Sequence, residues 1–259
     1  MQQPIGIFDS GVGGTSIWKE IQKLLPNENT IYLADSKNAP YGAKTKKEIL
    51  ELSVKNTELL LQENCKLIVV ACNTATTNAI DYLRATYEVP FIGIEPAIKP
   101  AALKTKTKKV GILATKGTLS SSLFHSTSKI FAEGITVLEQ EGTGLVELIE
   151  ANKVNSKTTT ELLKQYINPM LEQDIDCLVL GCTHYPYLIP ALRGLLPQKV
   201  TIIDSGEAVA KQTNAILIKN QLLAKKRDNT KHIFLSNSNT EVLKSMVEGA
   251  NVEVTYLNF

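Results

Sequence analysis

The chain has 259 residues, 43% hydrophobic and 21% charged, which suits one large or two small globular domains with real cores. Its 28 basic and 26 acidic residues nearly cancel, and only Arg84, Arg193 and Arg227 are arginines, which argues against a nucleic-acid reader built on bidentate arginine contacts. No apolar run reaches the roughly eighteen residues of a membrane span, and MQQPIGIFDS lacks a basic-then-apolar leader, so a cytoplasmic protein with no membrane partner is expected.

IGIFD (5–9) reads as the first strand, so close to the start that regulation through a long N-terminal extension is not expected. It runs into the turn FDSGVGG (8–14) and a helix over SIWKEIQKLL. Gly11 and Gly13 begin a dinucleotide fingerprint, and Asp35 follows about twenty residues on. However, Ser16 stands where the third glycine belongs, and Asp9 would set a carboxylate against a pyrophosphate. A tight turn that needs glycine is the expectation instead.

IYLAD (31–35), LIVVA (67–71) and FIGI (91–94) are the next strands, with a helix over KEILELSVKNTELLLQ between the first two. A second series follows: VGILA (110–114), ITVL (135–138), CLVLG (177–181) and residues 200–203, and then HIFLS (232–236) and VEVTYL (252–257). The basic stretches KTKTKK (104–109) and AKKRDNTK (224–231) read as solvated loops. Strand–helix alternation calls for parallel sheets under helices, with ligands at the carboxyl ends of the strands. The expected class is α/β: two similar α/β domains with mainly parallel sheets and the active site in the cleft between them.

The two series resemble each other. IGIFDSGVGGTS answers to VGILATKGTLSS, and VVACNT to VLGCTH. Cys72 and Cys182 thereby fall at corresponding strand ends, and if the units face each other, so do the thiols. The other cysteines, Cys65 and Cys177, open apolar runs where a small hydrophobe suffices. Four cysteines without a CxxC pair suggest neither a disulfide framework nor a metal site.

His184, one of three histidines, lies two residues from Cys182 and supplies a base that helps form a thiolate. The crevice mouth offers neutral donors: Ser10, Asn73, Thr74, Thr76, Thr115, Thr118 and Thr183. Such a mouth suits a small carboxylate-bearing molecule, and two thiols around it suggest proton removal from one face and return to the other. A cysteine hydrolase using Cys182 and His184 would leave Cys72 unexplained. A redox-sensing binding protein would pair the two thiols as a disulfide.

Across nearly the whole chain, FDSGVGG, APYG (39–42), ACNTAT (71–76), GIEP (93–96), ATKGTLSS (114–121), LGCTHYP (180–186) and DSGEAVA (204–210) together resemble the glutamate racemases, of the Asp/Glu racemase superfamily. That resemblance implies a cofactor-independent isomerase that interconverts L- and D-glutamate for peptidoglycan, with no metal, as a homodimer. It implies that Cys72 deprotonates the D-enantiomer and Cys182 the L-enantiomer, assisted by Asp9 and His184 respectively. Ser10, Tyr41, Gly42, Asn73, Thr74, Thr118 and Thr183, with Asp9 and His184, would bind substrate. Domains of 1–95 plus 208–259 and of 96–207 are implied as well. The stretch QEGTGLVELIEANK (140–153) departs from the family's proline-containing pattern, so Glu150 is only the nearest match to the glutamate that supports the histidine.

Overall fold

In the computed structural model, which describes residues 3–225, 229–249 and 251–259, the strands sort into two sheets. Strands β1 (Ile5–Asp9), β2 (Thr30–Ala34), β3 (Leu67–Val70), β4 (Phe91–Gly93), β9 (His232–Ser236) and β10 (Val252–Tyr256) form the first, in the order β10-β9-β2-β1-β3-β4. The second, in the order β6-β5-β7-β8, holds β5 (Lys109–Ala114), β6 (Thr136–Glu141), β7 (Cys177–Gly181) and β8 (Thr201–Ile203). Every pairing among the described residues is parallel. The order β2-β1-β3-β4 recurs as β6-β5-β7-β8, so the internal repeat read from sequence is a repeat of topology. It places β3 and β7, which lead to the two thiols, at equivalent points.

The expected strands form with shifts of a residue or two, except β6. The expected ITVL gives way to a strand that continues through Glu139, Gln140 and Glu141, paired with Ile112, Leu113 and Ala114. An edge strand needs no apolar run, because one side has no sheet neighbour to bury it. The basic stretch 224–231, with Arg227, lies partly outside the described residues.

Helices α1 (Thr15–Leu24), α2 (Lys46–Gln62) and α3 (Asn73–Thr86) accompany the first sheet. Then come α4 (Ile98–Lys104), α5 (Lys116–Leu119), α6 (Ser122–Phe131), α7 (Leu145–Glu150), α8 (Lys157–Glu172) and α9 (Ile189–Leu195), followed by α10 (Gly206–Lys219) and α11 (Glu241–Met246). Local sequence explains the first turns. Thr45 and Glu48 form a reciprocal cap at the start of α2, with Glu48 accepting the Thr45 N–H at 2.8 Å. Along α3, Ala75, Ala79, Ile80 and Leu83 recur at helical spacing and are all buried.

One apolar cluster runs from Ile7, Tyr32 and Val69 of the first sheet to Leu113, Leu178 and Leu180 of the second. The two units therefore share a core as well as a cleft. Phe234 is its anchor under the first sheet, edge-on to Trp18 at 4.8 Å and fully buried. Burying a phenylalanine of this kind contributes about 1.5–3 kcal/mol. Among the described residues no helix is long and apolar enough to cross a membrane.

Candidate active site

The carboxyl ends of β1 and β3 face that of β7 across a narrow cleft of about 240 Å³, counting space open to solvent. Ser10, Pro40, Tyr41, Gly42, Cys72, Asn73, Thr74, Thr115, Val146, Cys182, Thr183 and His184 line it. A larger hollow beside Arg84, Glu88 and Gln212 contains no thiol or imidazole, so chemistry and not volume selects the site.

Cys72 follows β3 and is the N-cap of α3, its sulfur accepting the Ala75 N–H at 3.4 Å. The thiol donates to Ser10 Oγ at 3.7 Å. Burial pushes the Cys72 pKa well above the ordinary thiol range, and the nearby Asp9 carboxylate adds to this, while the Ala75 amide and Ser10 pull the other way. Asp9 is itself fully buried, with Oδ2 accepting the Gly14 N–H at 2.7 Å. Burial raises its pKa against the opposing pull of His184 and the Gly14 amide.

On the facing wall, Cys182 Sγ lies 3.8 Å from His184 Nδ1. His184 Nε2 meets Glu150 Oε1 at 2.6 Å, and its Nδ1 stands 4.0 Å from Asp9 Oδ2. Burial pushes the His184 pKa down, but the hydrogen bonds to Cys182 and Glu150 outweigh it, and the pKa ends well above its usual value. A ring protonated in this way donates from both nitrogens. The Gly13 N–H, directed at Nε2 from 3.2 Å, competes with Glu150 for that nitrogen.

Glu150 does more than meet His184. Its Oε1 accepts the Val12 N–H at 2.7 Å and its Oε2 accepts from Ser36 Oγ at 3.1 Å. This contact explains the glycine-rich turn. None of Gly11, Gly13 and Gly14 has the left-handed backbone that the tight-turn expectation required. A Cβ at Gly11 would lie 1.9 Å from Glu150, and one at Gly13 would lie 2.2 Å from His184. Glycine is needed because the other unit presses against the turn. The space a pyrophosphate would occupy is filled by these two side chains.

The threonines divide. The Thr74 and Thr115 hydroxyls meet at 2.8 Å on the cavity wall, and Thr118 supports them from behind, 3.0 Å from Thr115. Thr118, expected to bind substrate, is fully buried and outside the cavity lining. Thr76, expected at the mouth, points into the first sheet instead, donating to the Val70 carbonyl at 3.1 Å and accepting the Ile94 N–H. Tyr41 lines the cavity, but its hydroxyl is spent on Asp35 and on Asn56 Nδ2. Asn73 is the opposite case: it is 2% exposed, and neither side-chain atom has a partner. Leaving such groups unpaired costs about 1–3 kcal/mol each, which marks the amide as aimed at a ligand.

Cys65, Cys177 and His232 are buried away from the cleft, and His232 bonds Thr30 Oγ1 at 2.9 Å. Among the described residues no cluster of three or more histidine, cysteine or acidic side chains is placed to hold a metal ion. Sequence reasoning missed Pro40 and Val146 in the lining. Val146 could have been found from its place one helical turn before Glu150.

The sequence pattern of the Asp/Glu/Hydantoin racemases matches residues 5–213. The chain belongs to this family. The glutamate racemase of Ectopseudomonas mendocina is 49% identical to this family member over 224 residues, covering 86% of this chain and 85% of its own. Its fold matches that of the Bacillus anthracis glutamate racemase isoform RacE1 with a TM-score of 0.87 at 32% identity, over 98% of this chain and 97% of that one. A TM-score of 0.85 at 34% identity, over 98% of each chain, relates it to the Escherichia coli glutamate racemase solved with L-glutamate and the activator UDP-MurNAc-ala. This family member is thus a racemase, an isomerase whose relatives carry the name glutamate racemase.

Proposed function

We propose that this racemase interconverts L- and D-glutamate by two-base proton transfer at the α-carbon, and that its D-glutamate serves peptidoglycan synthesis. The observation that carries the reading is the pair of thiols, Cys72 and Cys182, lining one small cavity from equivalent strand ends of two repeated units. The unpartnered Asn73 amide, which lines the same cavity, supplies the ligand-directed group.

In the L-to-D direction, the Cys182 thiolate takes the α-proton and becomes a thiol. The electron pair remains on the substrate as a carbanionic intermediate, which the second transfer consumes. Cys72, entering as a thiol, delivers its proton to the opposite face and leaves as a thiolate. The reverse direction exchanges the two roles. The Asn73 amide and the Thr74 hydroxyl offer preorganised donors to the carboxylate that receives the developing charge. A substrate ammonium beside Cys72 brings positive charge into a site whose burial otherwise opposes the thiolate, so binding favours ionisation. On the other wall His184, held by Glu150, stands 3.8 Å from Cys182.

The test is chiral separation with mass analysis over early conversion in deuterated water, begun from each enantiomer. Product should carry α-deuterium from the first turnovers while unreacted substrate lags. Early product that keeps mostly protium would refute two bases. Glutamate should be strongly preferred, since a shorter acid leaves buried donors unpaired. Comparable specificity constants for aspartate would reassign the substrate.

A further inference from the structure

We propose that Ser16 is a positioning residue for Cys182, holding the thiol loop of the second unit against the first at the separation that proton transfer requires. The proposal rests on the two-thiol reading above. Because the thiols belong to different sheets, their separation is a property of how the units dock. The strands joined by each sheet leave two passages of the chain between units among the described residues, after β4 and after β8. Contacts across the cleft must do the rest.

Ser16 makes one of these. It sits in the first turn of α1, and its hydroxyl donates to the Thr183 carbonyl at 2.9 Å, a contact between residues 167 apart in sequence. Thr183 is the residue between Cys182 and His184, so fixing its carbonyl fixes the peptide that aims both side chains. The other side-chain hold on Thr183 is weaker: its hydroxyl stands 3.4 Å from each oxygen of Asp9. One residue earlier, Thr15 Oγ1 meets Tyr187 Oη, which ties the following turn to the same helix.

Ser16 does not line the cavity, so it has no route to the substrate except through the loop it holds. It also occupies the position where a dinucleotide loop would carry its third glycine. A glycine there would pack α1 closely but would leave the Thr183 carbonyl without this donor. Proton transfer is sensitive to such support, because displacing a reacting group by about 1 Å costs on the order of a hundredfold in rate. Loosening one hydrogen bond is a smaller disturbance.

The experiment compares Ser16→Ala with Ser16→Thr, which keeps the hydroxyl. Enantiomers have equal free energies, so kcat/KM must stay equal in the two directions, and only isotope effects can reveal which thiol was disturbed. In Ser16→Ala we expect kcat to fall about tenfold with KM changed less than about twofold, as for a lost positioning contact. If transfer at Cys182 has become the slow step, the α-deuterium isotope effect on kcat/KM rises from L-glutamate. From D-glutamate it falls toward the equilibrium isotope effect of the first transfer, because Cys182 then delivers a solvent-derived proton in the slow step. Ser16→Thr should restore both. Amide exchange over residues 183–188 should quicken in Ser16→Ala and nowhere else. Wild-type kinetics, a raised KM alone, equal slowing with unchanged isotope effects, or unchanged exchange would each overturn the proposal. A wild-type protein that exchanges no α-hydrogen would instead sink the racemase reading itself, whatever Ser16→Ala does.

Discussion

Cys72 and Cys182 occupy topologically equivalent strand ends, yet their surroundings are built from different materials. Cys72 is followed by a helix of 14 residues and takes support from the backbone, as its N-cap. Cys182 is followed only by a short turn, Tyr185–Leu188, and the 7-residue α9, so no long helix begins at its sulfur. An imidazole braced by a carboxylate stands there instead. A repeat of fold therefore fixes where the two thiols sit without fixing what surrounds each. Helix N-termini and paired imidazoles are both known means of stabilising a thiolate.

The largest effect should come from the thiols themselves. Cys72→Ser and Cys182→Ser should each lower racemisation by about 10²–10⁴-fold, the usual contribution of a general acid or base, with circular dichroism unchanged. Near-normal turnover in either variant would remove that residue from the pair.

Changing the groups beside the thiols should cost less, and unequally. His184→Asn takes away the side chain that bonds Cys182, whereas Asp9→Asn leaves Cys72 the Ala75 amide. We expect a fall in kcat of about a hundredfold for the first and about tenfold for the second, read by circular-dichroism assay of both enantiomers. Isotope effects should skew in opposite senses for the two variants. Identical skews would mean that support is not divided between the halves.

Glu150→Gln should act more gently, because an amide oxygen can still accept the Val12 N–H. Its loss of charge should lower the His184 pKa toward the ordinary range and make kcat more sensitive to pH above about 6.5. A pH profile superimposable on wild type would show that Glu150 only fastens the units together.

The smallest effect concerns stability. Cys65 is pushed up to about 12 and Cys177 to about 11, mainly by burial, and Cys72 is raised too. A group whose folded pKa exceeds its unfolded value holds its proton more tightly when folded. Its contribution is whole below the unfolded value, near 9.0 for these thiols, and is lost as pH rises through the folded one. The same sign applies to His184, whose contribution is whole below its ordinary value of 6.5 and is lost above it as its raised pKa is passed. Tm should therefore decline between about pH 9 and pH 12, and the double variant Cys65→Ala, Cys177→Ala should flatten that decline while racemisation persists. An unchanged slope would assign the alkaline loss to other groups.

Much of this was legible in the residues. Runs such as IGIFD and CLVLG announce buried strands by composition, because that signal depends on neighbours a few positions apart. That Cys72 and Cys182 line one cavity was legible through the repeat, since like strand orders give like strand ends. Glu150 was nearly lost, for its stretch departs from the family's pattern and its partners lie 138 and 34 residues away.

Only the tertiary structure decided which polar groups face the cavity. Thr76, Thr118 and the Tyr41 hydroxyl look like site donors in sequence, and each is spent on a structural partner. The Asn73 amide is not. It also decided why Gly11 and Gly13 must be glycine, and what Ser16 touches. The physical reason is the same throughout. Periodicity and capping are local, carried by residues a few positions apart, so the chain specifies its strands, helices and strand ends by itself. Direction and satisfaction of a polar side chain depend on what packs against it: for Thr76, Thr118 and Tyr41 that is their own unit, and for Gly11, Gly13 and Ser16 it is the other unit, brought in by a shared core.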